Sequence, residues 1–499
     1  MKLPHLLKQS AIRASAMIFV KFIGLIGRVI LTRIVGAEGI GLYQIAYSLY
    51  GFLIMLSGGL PTVLAIITAK KPTVGWRFLK ILSLFIILSG CIISLIIFLN
   101  STVIAELLGN TGLEYTLRSL APAILAAPLL ALLRGYLQGL EQFSIIAASE
   151  VVEQVFRVFC MLLIVYHWLP LGVDRAVGKG VYATFIGVFV SFIMLAIYVS
   201  IDKKQQLRFP FDSPILPFVW FFKTSFIITL TRLLIPTSDF IDAILIPNRL
   251  VSAGYSASEA TSMFGIITGM ATIIAYAPTL ITGALSHTMT MRIATYWQQG
   301  SHDKFQRLSR NSLKFGWLWG LLSATFLFVY SKELSVFIFI TEDAYLSIKY
   351  MAAIPLIVGF REISTSILWS QDIKKVPFLG LSAGICSSIL IQYFLIGIPG
   401  LGYIGAAAGI MSMEIISSAW NIRALDIKKD EFIKIIPLVL MDIVAIFSTM
   451  GLVHQFTRSF QGALPDITKF LTGACLFFLI SGLYIFFRCT SFPTDLKTR

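Results

Sequence analysis

Three ionisable residues lie inside one long apolar stretch near the middle of the chain. The stretch covers 224–253 and contains Arg232, Asp239 and Asp242. Charged groups at membrane depth cost about 2.5 to 3.5 kcal/mol each on insertion scales, so they are usually functional or paired. Their spacing places all three on one side of a helix, and Pro236 between them favours a kink. We expect this helix to begin a second half of the chain and to line an internal cavity with the first half.

A second set of cations lies in the first apolar stretch. Lys21 and Arg28 share a helix face, and Gly24 and Gly27 beside them would allow another helix to approach closely. Both cations lie too deep to reach water easily, so we expect them to line a cavity. Arg33 lies near the outer end of the stretch, where we interpret it as an interfacial anchor.

Two later stretches also place charges on apolar helices. Glu150, Glu153 and Arg157 form a polar stripe on one helix face, and Arg134 lies at a comparable depth on the preceding helix. We predict that these four residues form ion pairs that hold a helical hairpin together, because opposite charges in lipid usually pair. Direct contact with a substrate is the alternative. Arg361 and the glutamate after it precede a Ser-Thr-Ser sequence, which suggests a further polar surface on an apolar helix.

The composition indicates a polytopic membrane protein. Hydrophobic residues make up 57% of the 499 residues and charged residues only 13%, a balance too apolar for a soluble multidomain protein. Apolar stretches of about 20 residues recur along the chain, each long enough to cross a hydrocarbon core of about 30 Å. The pattern predicts an all-α fold with about fourteen transmembrane helices. A Pro-Thr pair in the second helix of each half, at 58–62 and 276–280, hints at a six-helix repeat.

The basic residues predict the orientation of these helices. Most of the 40 lysines and arginines fall in segments that face the cytoplasm if the N-terminus does, including groups at 70–80, 203–208, 292–310 and 423–429. This bias predicts that both termini are cytoplasmic. The net charge of +15 is then a topology signal with an attraction to anionic lipids, and no nucleic-acid partner is expected. The five cysteines and five histidines are dispersed, so we expect no metal site and no disulfide framework.

Catalytic chemistry has no support in the sequence. It contains no nucleophile–base constellation and no glycine-rich phosphate loop, so we predict that the protein is not an enzyme. A glycosyltransferase or polymerase would need larger outer loops to carry catalytic acids. Two other functions stay open: a multidrug or cation antiporter, which would favour an acidic or aromatic cavity, and a scaffold for wall-synthesis enzymes that transports nothing.

Several segments resemble a known family. In chain order they read RVILTRIVGAEGIGLYQIAY, GGLPT, LRGYLQG, VVEQVFRV, LTRLLIPTSDFIDAILIPNRLVSAGYS and PTLITGAL. They are similar to the stage V sporulation protein B group of the multidrug/oligosaccharidyl-lipid/polysaccharide (MOP) exporter superfamily. The resemblance implies two six-helix lobes of the type found in multidrug and toxic compound extrusion (MATE) transporters, at 1–200 and 201–425. It also implies two further helices and a cytoplasmic tail at 426–499.

The resemblance also implies a cargo and a mechanism. It implies that a lipid-linked cell-wall or polysaccharide precursor, of the undecaprenyl pyrophosphate type, crosses the bacterial cytoplasmic membrane by alternating access. The role would be in spore cortex or envelope peptidoglycan synthesis, with the forespore membrane as one location and cell-wall synthesis enzymes as partners. We expect Lys21, Arg28, Arg232 and Arg361 to bind the anionic headgroup, since guanidinium and ammonium groups can replace the hydration of a phosphate.

The coupling ion is less clearly indicated. Asp242 matches an acid on the seventh helix of the family that contributes to a sodium site, and Asp239 lies beside it. The family's other sodium ligands are Asn and Asp on the eleventh helix, where this chain offers Ser388 and Gln392. With one carboxylate fewer, sodium has few hard ligands here. We therefore expect Asp239 and Asp242 to act with a proton or with Arg232, and we expect no tightly bound cofactor.

Overall fold

The chain is almost entirely helical. A computed structural model describes residues 3–206, 218–425, 429–459 and 465–490, and within these ranges it contains no β-strand. Ten helical stretches of the described chain are long and apolar enough to cross a membrane. The all-α, multi-pass membrane fold predicted from the sequence is therefore confirmed, while the count of fourteen spans stays a prediction. Of the basic groups used for orientation, Arg208 and Lys428 lie outside the described residues.

Contacts divide the chain into two units, Met1–Gly265 and Ile266–Arg499. Ten α-helices form the first unit: α1 (Leu3–Met55), α2 (Leu60–Lys70), α3 (Pro72–Leu99), α4 (Ser101–Leu107), α5 (Glu114–Gly139), α6 (Phe143–Trp168), α7 (Val173–Val181), α8 (Ala183–Gln206), α9 (Phe218–Ser252) and α10 (Ala257–Phe264). The sequence-based lobe boundary at 200/201 stays a prediction. By contacts, α9 packs with α1 and α2 and so belongs to the first unit.

Gly36 divides α1 into two helices, at 3–35 and 37–55. Its φ of 68° and ψ of −168° are not helical, and a side chain at this positive φ would be strained. A single residue therefore makes the corner between the helices 3–35 and 37–55. The corner brings Arg28 and Tyr43, on opposite sides of Gly36, into contact.

The second span is interrupted at 56–59. Pro61 has no N–H, so the carbonyl of Ser57 lacks the usual partner four residues later and accepts from the Leu60 N–H at 3.0 Å instead. The Gly58 N–H likewise donates to the Met55 carbonyl, three residues back, at 2.9 Å. These shortened bonds form an overwound turn between α1 and α2. We refer to residues 56–59 as the helix-2 turn.

The core of the first unit lies around α5. This helix packs against α2, α3, α7 and α8, and its apolar side chains join a buried cluster that includes Leu64, Phe78 and Leu132. A Cβ added at Gly135 of α5 would lie 2.4 Å from the Pro61 carbonyl oxygen. The absence of a side chain at Gly135 therefore lets α5 approach the main chain just after the helix-2 turn.

The second unit begins within a π-helix, Gly265–Ala271. Ten α-helices follow: α11 (Thr272–Tyr276), α12 (Thr279–Gln298), α13 (His302–Val329), α14 (Ser331–Phe339), α15 (Tyr345–Tyr350), α16 (Ile354–Ser370), α17 (Lys375–Ile396), α18 (Gly402–Ala424), α19 (Lys429–Arg458) and α20 (Asp466–Thr490). In this unit α16 packs against α12, α13 and α18, and α13 also contacts the last two helices.

The same packing order occurs inside each unit. In the first unit α5 contacts α2, α3 and α8, and in the second α16 contacts α12, α13 and α18. In both units a break precedes a helix whose first residues include a threonine. The breaks are the helix-2 turn before α2 and Ala277–Pro278 between α11 and α12. The internal contacts thus agree with the six-helix repeat that the Pro-Thr pairs suggested.

Candidate functional site

Helix α9 carries the three charged residues that the sequence singled out. Arg232 and Asp239 are exposed in the isolated chain, and Asp242 is half-buried. The Nη1 atom of Arg232 donates a hydrogen bond to the Gly58 carbonyl oxygen at 2.9 Å. One turn earlier on α9, the Thr229 hydroxyl accepts the Gly59 N–H, also at 2.9 Å. Arg232 is therefore held at the helix-2 turn by a neutral partner, and its positive charge is not cancelled there.

The first helix presents the other two predicted cations differently. Lys21 is exposed and Arg28 is half-buried. The guanidinium carbon of Arg28 lies 5.9 Å from the centroid of the Tyr43 ring, in cation–π geometry. At Gly27, an added Cβ would meet Val158 of α6 at 2.6 Å. The small residues of this helix therefore allow close packing of α6.

Glu153 joins two of the predicted structural cations. Its carboxylate lies 2.8 Å from Arg134 Nη1 and 3.6 Å from Arg157 Nη1. Arg134 also donates through Nε to the Ser149 hydroxyl at 3.0 Å, and Arg157 donates to the Gln154 side chain. The fourth predicted member, Glu150, lies instead 3.9 Å from Arg13 of the first helix. The structure thus brings three of the four residues into one network, which links α5 to α6.

A stack of tyrosines lies beside this network. The Tyr43 and Tyr47 rings are stacked with centroids 4.2 Å apart, and Tyr50 meets Tyr47 edge-on at 5.6 Å. The Tyr47 hydroxyl is hydrogen-bonded to the Thr184 hydroxyl of α8. Spacings of four and three residues put the three rings on one face of the 37–55 helix. The same spacing is visible in the sequence, although no site was predicted from it.

Arg361 has an acidic partner that the sequence did not reveal. Its guanidinium is paired with the Glu414 carboxylate of α18, and Glu414 is only 2% exposed. The Tyr276 hydroxyl, at the break before α12, donates to the same carboxylate at 3.0 Å. In the sequence Glu414 has no charged neighbour, so only the structure shows that it is paired. Since its charge is offset by Glu414, Arg361 is a weaker candidate for anion binding than Arg232.

Asp442 is also isolated in the sequence and paired in the structure. Its carboxylate accepts Arg488 Nε at 2.9 Å and the Tyr484 hydroxyl at 2.7 Å, which links α19 to α20. Both charged side chains are buried. Nothing in the local sequence marks these pairings, because the partners are more than 40 residues apart and only the packing of the helices brings them together.

The two eleventh-helix residues lie at a helix interface. Ser388 and Gln392 of α17 are 1% and 0% exposed, and Gln392 Nε2 donates to the Ser388 hydroxyl at 3.1 Å. A Cβ added at Gly409 of α18 would lie 2.3 Å from the Gln392 side chain. Both residues therefore pack between α17 and α18. The described residues contain no cluster of three or more His, Cys, Asp or Glu with metal-site geometry.

Comparisons with known proteins place the chain in a family. Residues 6–257 match the family model described as polysaccharide biosynthesis protein. Stage V sporulation protein B of Bacillus subtilis is 25% identical over 417 residues, which cover 81% of this chain and 80% of that protein. The lipid II flippase MurJ of Bacillus subtilis is 26% identical over 307 residues, 56% of each chain.

Solved structures share the fold. A structure of the lipid II flippase MurJ in an inward closed conformation has a TM-score of 0.70 at 14% identity and covers 95% of this chain and 98% of its own. An inward-facing MATE multidrug resistance transporter of the MOP superfamily has a TM-score of 0.66 at 14% identity, covering 82% and 96%. The expected resemblance is confirmed: the chain belongs to the polysaccharide biosynthesis protein family and has the fold of the MOP exporter superfamily.

Proposed function

We propose that this protein moves a lipid-linked cell-wall or polysaccharide precursor, with an anionic pyrophosphate headgroup, across the bacterial cytoplasmic membrane by alternating access. Similarity to stage V sporulation protein B along most of both chains supports this proposal, as does similarity to a lipid II flippase. A role in spore cortex or envelope peptidoglycan synthesis, and partnership with wall-synthesis enzymes, belong to the same proposal.

One observation carries the headgroup chemistry. Lys21, Arg28 and Arg232 lie within long apolar helices of the first unit, and none of them is matched with a carboxylate in the described residues. A pyrophosphate must lose much of its hydration to cross about 30 Å of hydrocarbon. Charge-assisted hydrogen bonds from arginine, which are roughly twice as strong as neutral ones, can replace that hydration.

The alternative transport function has less support. A MATE multidrug resistance transporter shares this fold, but likeness of fold does not determine the cargo. An organic cation would be repelled by the three unmatched cations of the first unit. Overproduction of the protein in a drug-sensitive strain separates the two cargoes, since an antiporter raises resistance and a precursor flippase does not.

Reconstitution tests the proposal directly. Purified protein in liposomes is given a lipid-linked precursor in one leaflet, and the fraction that becomes accessible in the other leaflet is measured over time. We expect transport by the wild type and its loss in Arg28→Ala with normal membrane insertion. Arg33→Ala is the matched control on the same helix, and it should transport normally. Normal transport by Arg28→Ala, or resistance to cationic drugs without precursor transport, would contradict the proposal.

A further inference from the structure

The helix-2 turn is held by two side chains of α9. Thr229 accepts the Gly59 N–H and Arg232 donates to the Gly58 carbonyl oxygen, each at 2.9 Å. Backbone polar groups freed by a helix break must find partners inside a membrane protein. In this turn one freed donor and one freed acceptor are satisfied by residues three apart on the same neighbouring helix. The turn and α9 are therefore linked through both polar atoms of a single peptide group, the one that joins Gly58 to Gly59.

These two hydrogen bonds, which we call the Thr229 clamp and the Arg232 clamp, differ in how easily a ligand can displace them. Thr229 is 9% exposed, and a Cβ added at Gly59 would lie only 2.0 Å from the Ser225 carbonyl oxygen. The backbone of the turn therefore lies against the backbone of α9 at this point, and a ligand has no room to replace the Thr229 hydrogen bond. Arg232 is exposed, and so is its hydrogen bond to Gly58. An anion can reach the guanidinium without first separating the two helices.

The break in the second unit provides a comparison within the same chain. There the Pro278 carbonyl oxygen accepts the indole N–H of Trp319 at 3.0 Å. An indole is a neutral donor with a single N–H, so it lacks both the charge and the paired donors with which a guanidinium binds a phosphate. A guanidinium prefers a charged, bidentate acceptor to a neutral carbonyl. Of these two breaks, the one in the first unit is held by an arginine, which can exchange its carbonyl partner for an anion.

We propose that Arg232 couples arrival of the anionic headgroup to the conformation of the helix-2 turn. This inference rests on the proposed function and adds a positioning role to it. The pyrophosphate draws the guanidinium away from Gly58, and the turn keeps only its Thr229 clamp. Gly58 and Gly59 then change conformation at little steric cost, because neither carries a Cβ. Binding of the cargo in this way loosens the second helix at the position where it must bend.

Hydrogen exchange of the turn tests the coupling. Full-length protein in lipid nanodiscs is mixed with undecaprenyl pyrophosphate, or with undecaprenol as an uncharged control of the same chain. Exchange is followed in peptides covering 56–63. We expect undecaprenyl pyrophosphate to accelerate exchange there by about tenfold, the order expected when one hydrogen bond to a charged group is lost. Undecaprenol should have no effect.

Two variants separate the roles of the clamps. Arg232→Gln keeps a donor for the Gly58 carbonyl but lacks the charge, so exchange of the turn should not respond to undecaprenyl pyrophosphate. Thr229→Val removes the acceptor for Gly59 and keeps the shape of the side chain. It should exchange faster without ligand and still respond to it. A response in Arg232→Gln as large as in the wild type would overturn the inference.

The transport assay on the same preparations distinguishes this inference from the proposed function. If the wild type transports the precursor and binds undecaprenyl pyrophosphate while exchange of the turn is unchanged, the coupling is wrong and the function stands. If exchange responds but no precursor is transported, the coupling stands and the function is wrong. If nanodiscs that contain the protein retain no more radiolabelled undecaprenyl pyrophosphate than empty nanodiscs do, the lipid does not bind and both are wrong.

Discussion

At the scale of single residues, the partner of each arginine within the apolar helices decides what that arginine can do. Arg361 and Arg488 each face a carboxylate, so their charge is offset and their geometry is constrained. Arg28 faces a tyrosine ring and Arg232 a carbonyl oxygen, which leaves each with a net positive charge. Four arginines of similar sequence surroundings therefore divide into two structural and two candidate binding residues.

The Glu153 network gives a residue-scale prediction. Removing its carboxylate leaves Arg134 and Arg157 facing each other without a counter-charge. We expect Glu153→Ala to lower the free energy of unfolding by about 2 kcal/mol and thereby the amount of folded protein. Glu153→Gln should lower both by less, because the amide oxygen still accepts one hydrogen bond. Quantitative immunoblotting of membranes measures both variants beside Glu106→Ala, an exposed control. Wild-type levels of both Glu153 variants would rule out the structural role.

Arg361 and Glu414 allow a structural role to be separated from headgroup binding. Glu414→Leu alone leaves a buried guanidinium without its partner, so we expect the folded protein to be destabilised by about 3 kcal/mol. The double variant Arg361→Leu with Glu414→Leu removes both charges and should recover most of the stability, since apolar replacements of buried ion pairs are often neutral. If the pair is purely structural, the double variant transports the precursor normally. Recovered folding without transport would restore Arg361 as a binding residue.

At the scale of helices, irregular positions place the functional groups. Gly36 turns the chain so that Arg28 lies over Tyr43, and the overwound helix-2 turn leaves the Gly58 carbonyl oxygen available to α9. A regular helix would have used that carbonyl internally. Breaks in membrane helices are tolerated where side chains replace the lost backbone bonds, and Arg232, Thr229 and Trp319 supply such replacements here.

Two glycines of the second span make a matched pair for testing the helix contact. A Cβ at Gly59 would lie 2.0 Å from the Ser225 carbonyl oxygen, whereas a Cβ at Gly51 would meet nothing within 4 Å. We expect Gly59→Ala to lower the thermal stability by about 1 to 3 kcal/mol, as overpacking does, and Gly51→Ala to have no effect or a small stabilising one. Thermal unfolding in detergent, followed by tryptophan fluorescence, compares them. Equal midpoints for the two variants would mean that α9 is not held against the helix-2 turn.

At the scale of the whole molecule, we expect the driving force of the proposed transport to depend on a few carboxylates. Ser388 and Gln392 are buried between α17 and α18, so neither is presented as a ligand to an open cavity within the second unit. Sodium prefers several hard oxygen ligands held together. The proposal of a proton, or of a pairing with Arg232, as the companion of Asp239 and Asp242 therefore remains the preferred one.

Transport under defined ion gradients tests this preference. Wild-type protein and Asp242→Asn are reconstituted side by side, and precursor transport is measured under a sodium gradient alone and a proton gradient alone. We expect the wild type to respond to the proton gradient and not to the sodium gradient, and Asp242→Asn to lose that response. Asp239→Asn serves as the neighbouring comparison. A sodium dependence that disappears in Asp242→Asn would instead establish a sodium site.

The sequence by itself determined the class of the molecule and the residues at which chemistry could occur. Long apolar stretches make membrane helices, because lipid leaves the backbone no other way to satisfy its polar groups. A charge within such a stretch is conspicuous for the same reason, so Arg28, Glu153 and Arg232 could be identified without coordinates. The spacing of Glu153 and Arg157 also predicts their contact, since both lie on one helix face.

Only the tertiary structure decided which partner each charge has. Arg361 meets Glu414 and Asp442 meets Arg488 across 53 and 46 residues of chain, a relation that depends on the rotation and depth of separate helices. The bond from Arg232 to Gly58 depends on the overwound helix-2 turn, in which the Gly58 carbonyl oxygen is not used by the helix itself. Local patterns therefore identify the charged residues, and the packing of the helices determines whether each is neutralised or left able to bind an anion.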